Sequence, residues 1–290
     1  MSNNSIFLVE KGKYDTIFAH RDLDGAFAAG LLLRIFPISL RFVRELSDAS
    51  YAIIVEVPLA EGGEIENCLI IDHHNCSDLS SLSGNIVICN EEYLSVSSLI
   101  TDIFDLEADD DILDIIDAID SGEILGNERA MKIFLTYLIN TDKISLEKLA
   151  FFVRDKKWGD FLKYFEKMYD PQRANELIQM AQEKKKDSII LAKRVAIIRY
   201  NPEDSIDSEI TKLASIYLQE EGYIVISVAV KDDIVFFGKI ATKSNTNLSK
   251  IYKKLRKMGM RAGGGKNVGG FKAQYRITFG EFKKLIETLL

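Results

Sequence analysis

No apolar stretch in this sequence is long enough to span a bilayer; even AFAAGLLLRIF is interrupted by Arg34. The leading MSNNSIFLVEKGKYD has no basic region running into an apolar core and a small-residue cleavage site, so no secretory signal is expected. Cysteine is scarce: Cys68, Cys76 and Cys89 are irregularly spaced and mostly in apolar surroundings. That pattern matches neither a disulfide framework nor a zinc site, and the expectation is buried free thiols in a cytoplasmic protein. Internal repeats and low-complexity segments are missing, which sets aside a repeat architecture. Histidine is almost as scarce, with only His20, His73 and His74 in the chain.

What is present is ordinary in bulk. At 290 residues and 47% apolar composition, the chain is long enough for a full core and for two domains. A net charge of −7 argues against a polyanionic partner only if charge is evenly spread, and it is not. From Thr101 to Glu128 there are eleven Asp or Glu and no Lys or Arg; from Ala241 to Leu290 there are twelve Lys or Arg against two Glu. An acidic first lobe and a basic last one suit a protein that holds metal ions at one end and phosphate at the other, although either run alone could be a solvated helix face.

The first hundred residues alternate β-rich and helical runs. DTIFAH (15–20), SLRFV (39–43), YAIIVEV (51–57), CLIIDHH (68–74) and NIVICN (85–90) are Ile- and Val-rich and largely unalternating, as strands buried on both faces are. The order implies a doubly wound α/β lobe whose ligands bind at the carboxyl ends of its strands. Beyond about Leu94 helical periodicity takes over, with helices expected over 109–120, 128–139, 145–155 and 173–194, the last as one unbroken connector. A smaller α/β lobe follows, with strands at VAIIRY, YIVISVAV and DIVFFGKIAT, the last two joined about a Lys231–Asp232 turn, and a final strand FKAQYRITF. The fold class expected is therefore α/β: an N-terminal doubly wound parallel-sheet lobe (1–126), a helical connector (127–194) and a smaller C-terminal α/β lobe (195–290). Phe151, Phe152, Trp158, Phe161, Tyr164, Phe165 and Tyr169 recur at near-helical spacing and are assigned to packing.

All three histidines fall next to carboxylates at expected strand ends: AHRDLDG (19–25), EVP with Glu56, and IIDHHN (70–75). Imidazole suits borderline divalent ions and carboxylates suit harder ones, so this mixed set is enough for two ions. Two ions about 3.5–4 Å apart can share a water and clamp the oxygens of a phosphoryl displacement. Asp72 need not be a ligand; it can orient a neighbouring imidazole.

HRDLDG and IIDHH resemble the first and third motifs of the DHH phosphoesterase superfamily, which includes RecJ-type exonucleases, oligoribonucleases, cyclic dinucleotide phosphodiesterases and inorganic pyrophosphatases. RAGGGKNVGGFK (261–272) is similar to the glycine-rich signature of the DHH-associated domain, so the resemblance covers nearly the whole chain. It implies a site of His20, Asp22, Asp24, Glu56, His73 and Asp120 as metal ligands, with His74 and Asp72 in catalytic roles. Asp117, three residues before Asp120 in IIDAIDSGE, is an open alternative for the fourth motif. Arg261, Gly263, Gly264, Gly265, Lys266 and Asn267 would bind substrate, with Lys272 beside them. The sequence departs from the family at two positions: Glu56 stands where relatives carry a bridging Asp, and Lys266 where they carry His after the glycines. Lysine serves as a point-charge donor to phosphate, not as an imidazole.

The activity implied is two-metal hydrolysis of phosphodiester bonds in single-stranded RNA or DNA oligonucleotides. Mn²⁺ is favoured by the imidazoles and Mg²⁺ is the alternative. A second reading shrinks the substrate to a cyclic dinucleotide or a nucleotide 3′-phosphate. A third makes the chain a catalytically reduced binding subunit with a replication or repair partner. No membrane association is expected.

Overall fold

The computed structural model describes residues 12–60, 62–74, 76–79, 82–121, 137–138, 144–191, 194–244 and 246–289. It divides into two compact units, Met1–Tyr169 and Asp170–Leu290. The helix expected over 128–139 lies outside the described residues, but for 137 and 138, as does the expected domain limit at 126.

In the first unit, β1 (Thr16–His20), β2 (Ser39–Val43), β4 (Ala52–Val55), β6 (Leu69–Asp72) and β7 (Ile86–Cys89) form one sheet in the order β2-β1-β4-β6-β7. Every pairing in it is parallel. All five expected strands are there, and the central β4 is buried along its whole length. A two-stranded accessory sheet pairs β3 (Ala49–Ser50) with β5 (Ile65–Glu66). Helix α1 (Leu23–Leu33) is buried on every side, as its sequence LDGAFAAGLLL allows. Helix α2 (Cys76–Leu79) follows β6, and α3 (Val96–Ile103), α4 (Asp110–Asp120), α5 (Leu146–Arg154) and α6 (Trp158–Glu166) complete the unit. Helices α1 and α5 approach closely at Gly30, where a Cβ would sit 2.5 Å from the Ala150 carbonyl oxygen; no larger residue fits there. The α6 aromatics are largely packing residues: Trp158 stacks on Phe27, and Phe161 and Phe165 are buried. Phe151 differs, being exposed beneath the Arg154 guanidinium.

The second unit opens with α7 (Pro171–Lys186). The helix expected to run unbroken to Arg194 ends at Lys186, because Ser188 and the Ile-Ile-Leu run leave it to form β8 (Ile189–Leu191), antiparallel to β9 (Val195–Tyr200). Pairing with β9 outweighs the local helical periodicity. Helix α8 (Ser205–Glu220), β10 (Ile224–Lys231), β11 (Ile234–Ala241), α9 (Ser249–Lys257), β12 (Arg261–Gly264), β13 (Val268–Lys272) and α10 (Phe279–Leu289) follow. The sheet order is β12-β13-β11-β10-β9-β8.

Two details differ from the sequence reading. The β10–β11 turn centres on Asp232 and Asp233, both at positive φ (48° and 61°), as a tight hairpin requires and as Asp tolerates. The final strand covers Val268–Lys272, not 271–279, because the glycines themselves pair in a hairpin with β12. Gly269 has no room for a side chain there: a Cβ would lie 2.3 Å from Gly263 O and 2.5 Å from the Tyr252 hydroxyl. Among the described residues, no helix is long and apolar enough to cross a membrane.

Candidate metal centre

Strands β1, β4 and β6 are neighbours, with Ala19 opposite Val55 and Val55 opposite Ile71. One residue further along each strand are His20, Glu56 and Asp72, so the parallel register sets three functional side chains abreast at the carboxyl edge. In HRDLDG, Asp22 caps α1 by accepting from Gly25 N–H at 2.9 Å, and its other oxygen bonds His20 Nδ1. Gly25 has to be glycine, since a Cβ there would lie 2.2 Å from the His20 carbonyl oxygen.

Glu56 is a non-glycine residue in the left-handed region (φ 55°), and its side chain is buried. That conformation costs on the order of 1 kcal/mol and is a recurrent mark of functional positions. His73 Nδ1 lies 3.1 Å from the Tyr93 carbonyl oxygen, which only an Nδ1–H can satisfy. Nε2 is therefore turned toward Asp120 Oδ2 at 3.1 Å, Glu56 Oε1 at 3.6 Å and Asp24 Oδ2 at 4.0 Å. Neither His73 Nε2 nor the buried Glu56 Oε2 makes an aligned hydrogen bond. His73 Nε2 and the Glu56 and Asp120 carboxylates converge on one point, a donor set of the kind that holds a divalent cation.

Two groups bring ligand atoms within 4.8 Å of one another: Glu56, His73, His74 and Asp120, and then His20, Asp22 and Glu56. Glu56 belongs to both, where a shared ligand would stand. Asp24 belongs to neither. Its carboxylate is occupied by the N-terminus of α3, accepting from Val96 N–H at 2.7 Å, Ser97 N–H at 2.9 Å and the Ser97 hydroxyl. Asp117 is similarly engaged, bonded by the hydroxyls of Ser95 and Ser98, whereas Asp120 faces His73. Asp72 Oδ1 accepts from the His74 N–H at 2.7 Å and lies 3.3 Å from His74 Nδ1, which leaves that imidazole half exposed.

The charges shift accordingly. Burial, reinforced by Asp120 and Asp22, pushes Asp24 up to about 7. Burial and the surrounding carboxylates hold Glu56 well above the usual carboxylate range. Burial would lower His73, but Asp120 and Asp24 outweigh it and raise the imidazole to about 9. His20 is raised in the same way, its burial overcome by Asp22.

The Tyr93 carbonyl and Ser95 and Ser97 hold this centre in place but escape sequence reading. The carbonyl has no sequence signature, and the helix-capping pattern SVSS does not say what it anchors. Cys76 and Cys89 correct a second expectation. They form a disulfide, and only Cys68 is a buried free thiol. Asp72 pairs with Cys89 across β6 and β7, and Cys76, four residues beyond Asp72, lies at a Cα–Cα distance of 5.5 Å from Cys89, a proximity the spacing of 13 does not reveal.

In the second unit, Arg261, Gly263, Gly264, Gly265, Lys266 and Asn267 lie on the exposed β12–β13 hairpin. Its turn is tied down, since Thr242 N–H donates to Asn267 O and Leu248 N–H to Lys266 O, both at 2.9 Å.

No family model and no curated protein sequence matches this chain. Solved structures do. The chain superposes on the pGpG-specific phosphodiesterase PggH from Vibrio cholerae with a TM-score of 0.56 at 15% identity, over 96% of this chain and 97% of the other. RecJ from Thermus thermophilus in complex with Mg²⁺ gives 0.50 at 10% identity, over 96% of this chain and 49% of that one. An exonuclease RecJ bound to manganese gives 0.50 at 10% identity, over 96% and 89%. At these identities the likeness is one of fold, and the fold is the one that the HRDLDG and IIDHH motifs implied.

Proposed function

We propose that the chain is a metal-dependent phosphodiesterase of the DHH superfamily that hydrolyses single-stranded oligonucleotides. One observation carries this reading: His73, His74 and Asp120 on one side and His20 and Asp22 on the other bring ligand atoms into two groups that share Glu56, a mixed imidazole–carboxylate set suited to divalent ions. His20, Asp22, Glu56, His73 and Asp120 would hold two divalent ions, with Asp24 bracing α3 behind them. Bound there, the ions would neutralise phosphate charge and acidify a water. Asp72 fixes His74 through its N–H, so the exposed imidazole is presented to a substrate phosphate. In the second unit, Lys266 and Arg261 would hold backbone phosphate as point-charge and forked donors.

A smaller substrate is the second reading. It is favoured by the near-complete mutual coverage with the pGpG-specific enzyme, against half coverage of the Thermus RecJ chain. Both readings meet one test. End-labelled single-stranded RNA and DNA of graded length and a linear dinucleotide are incubated with Mn²⁺ or Mg²⁺, beside His73→Ala. Metal-dependent shortening of the long strands, lost in the variant, is the expected result. Cleavage confined to the dinucleotide selects the smaller substrate. Failure to bind Mn²⁺ by calorimetry or to cleave anything sinks the enzyme and leaves a binding subunit.

A further inference from the structure

The six-stranded sheet of the second unit is covered unevenly. On one face, Ala262, Phe271, Ile240, Val228 and Ile226 are buried in a core with Tyr252, Leu255 and Phe282 from α9 and α10. On the other, α8 packs on β9 and β10, while the β11, β13 and β12 side chains stay exposed. The register identifies them. Arg261 is opposite Lys272, Lys272 opposite Phe237, Phe237 opposite Ala229 and Ala229 opposite Tyr200, one row across five strands on a single face. Lys239 follows two residues after Phe237, on the same face and opposite Gly270.

A single exposed phenylalanine means little. This one is 43% exposed, steadied edge-on by Tyr200 at 6.4 Å between centroids, with Lys272 and Arg261 in its row on the side away from Tyr200. Strands repeat at about 4.8 Å, so Lys272 and Arg261 stand roughly 5 and 10 Å from Phe237 at the backbone. Between Ile234 and Gly280 there are eleven Lys or Arg and no Asp or Glu. Past Tyr200 a hollow carries both signs, lined by Lys184 and Arg199 together with Asp207, Asp232 and Asp233. The cations that no nearby acid in the sequence opposes lie from Phe237 toward Arg261, and an anionic strand would follow them. Gly263 and Gly270 keep the face low beside the ring.

We propose that this open face is a base-stacking platform for a single-stranded oligonucleotide. Phe237 receives a nucleobase, and Lys272, Lys239 and Arg261 hold the flanking phosphates. An exposed aromatic ring beside a cationic track on a sheet is the combination that binds single strands with little sequence preference. An acidic peptide would satisfy the lysines but has no flat ring to give Phe237. The inference deepens the nuclease reading and rests on it for the substrate class.

The test uses the full chain in EDTA, so that strands are bound and not cut. Anisotropy of a short labelled single strand is measured for wild type, Phe237→Ala and Phe237→Trp, and an abasic strand of equal length is measured on wild type. Phe237→Ala should weaken the intact strand roughly tenfold, Phe237→Trp should retain it, and the abasic strand should bind wild type about as weakly as the intact strand binds the alanine variant. Equal affinity of wild type and Phe237→Ala, or of intact and abasic strands, overturns the platform. So does polyglutamate binding with the same dependence on Phe237, which would make the face a protein-docking surface. Hydrolysis of a base-free aryl phosphodiester by wild type with Mn²⁺ is scored separately. Hydrolysis without a Phe237 effect removes the platform alone, and a Phe237 effect without hydrolysis keeps the platform and removes the phosphodiesterase.

Discussion

The two units meet their ligands in opposite states. The first buries Glu56, Asp24 and His73 beside the partly exposed Asp120, with a left-handed backbone at Glu56, orphaned atoms, and pKa values raised at the three buried groups. The second lays Arg261, Lys266 and Lys272 on an exposed hairpin whose backbone bonds are already made. If a cluster of the first kind takes up a cation, as proposed, the ion relieves the mutual repulsion of its carboxylates, and folding and binding are coupled there. The second has its backbone bonds made and its cations on the surface, so a phosphate could meet them without any change in the fold.

Removing a ligand from the cluster should therefore have the largest effect. His73→Ala is expected to cost at least about a hundredfold in Mn²⁺ affinity and in hydrolysis, because the imidazole and its Tyr93 anchor are lost together. Calorimetry and single-turnover assays would read it, and an unchanged affinity would place the metal elsewhere. Next in size is the covalent tie beside the cluster. Cys76→Ser should lower the stability of the first unit by about 2–3 kcal/mol, as loss of a 13-residue closure does, while leaving the second unit's unfolding transition alone. Denaturant melts with and without reductant would show it, and identical wild-type melts under both conditions would mean that the disulfide does not form in solution.

Acidity distinguishes the units more finely. Asp24 is held up at about 7, so its share of stability is lost as pH rises from the ordinary carboxylate range through 7, where the unfolded chain has already released a proton that the folded chain keeps. His73, held up at about 9, contributes in full below the ordinary imidazole range and loses that contribution as pH climbs through 9. Both signs agree: the metal-free chain should become steadily less stable between about pH 5 and pH 9, and Mn²⁺ should flatten or reverse that slope. Glu56→Gln should stabilise the metal-free chain at the alkaline end by about 1 kcal/mol while weakening Mn²⁺ binding. Thermal melts across pH in EDTA and in Mn²⁺ would expose a contrary slope.

Much of this contrast is legible in the sequence. Five apolar runs carry their own strand assignments, and acids and histidines stand where those runs stop, because a parallel sheet leaves its functional groups at the carboxyl ends. The pairing of distant segments is less legible. Asp24 reaches α3 across 72 positions, the Tyr93 carbonyl belongs to no residue type, and Cys76 meets Cys89 only because β6 and β7 are neighbours. Ile189–Leu191 leaves a helical pattern for a strand because β9 offers it hydrogen bonds, a tertiary gain that no local window contains. The open face around Phe237 emerges only from register, since Arg261, Lys272, Phe237 and Tyr200 are scattered over seventy-odd positions and united by pairing.

The smallest effect belongs to the hairpin. Lys266 is exposed at the β12–β13 turn, its carbonyl held by Leu248 and its ammonium in solvent, so nothing in the fold depends on its charge. Lys266→Ala should leave melting temperature and Mn²⁺ affinity unchanged, in contrast to every substitution in the cluster. It should weaken a single strand by a few fold and lower the slope of log affinity against log salt by about 1, the mark of one lost phosphate contact. Lys266→His, the residue that the resemblance to the DHH-associated signature would place after the glycines, separates two roles for the position. If charge alone matters, histidine should behave like alanine at alkaline pH and approach lysine only where the imidazole is protonated. Equal binding by histidine and lysine at alkaline pH would instead mean that the position recognises a phosphate oxygen by a directed hydrogen bond, and that this hairpin, like the cluster, depends on geometry as well as charge.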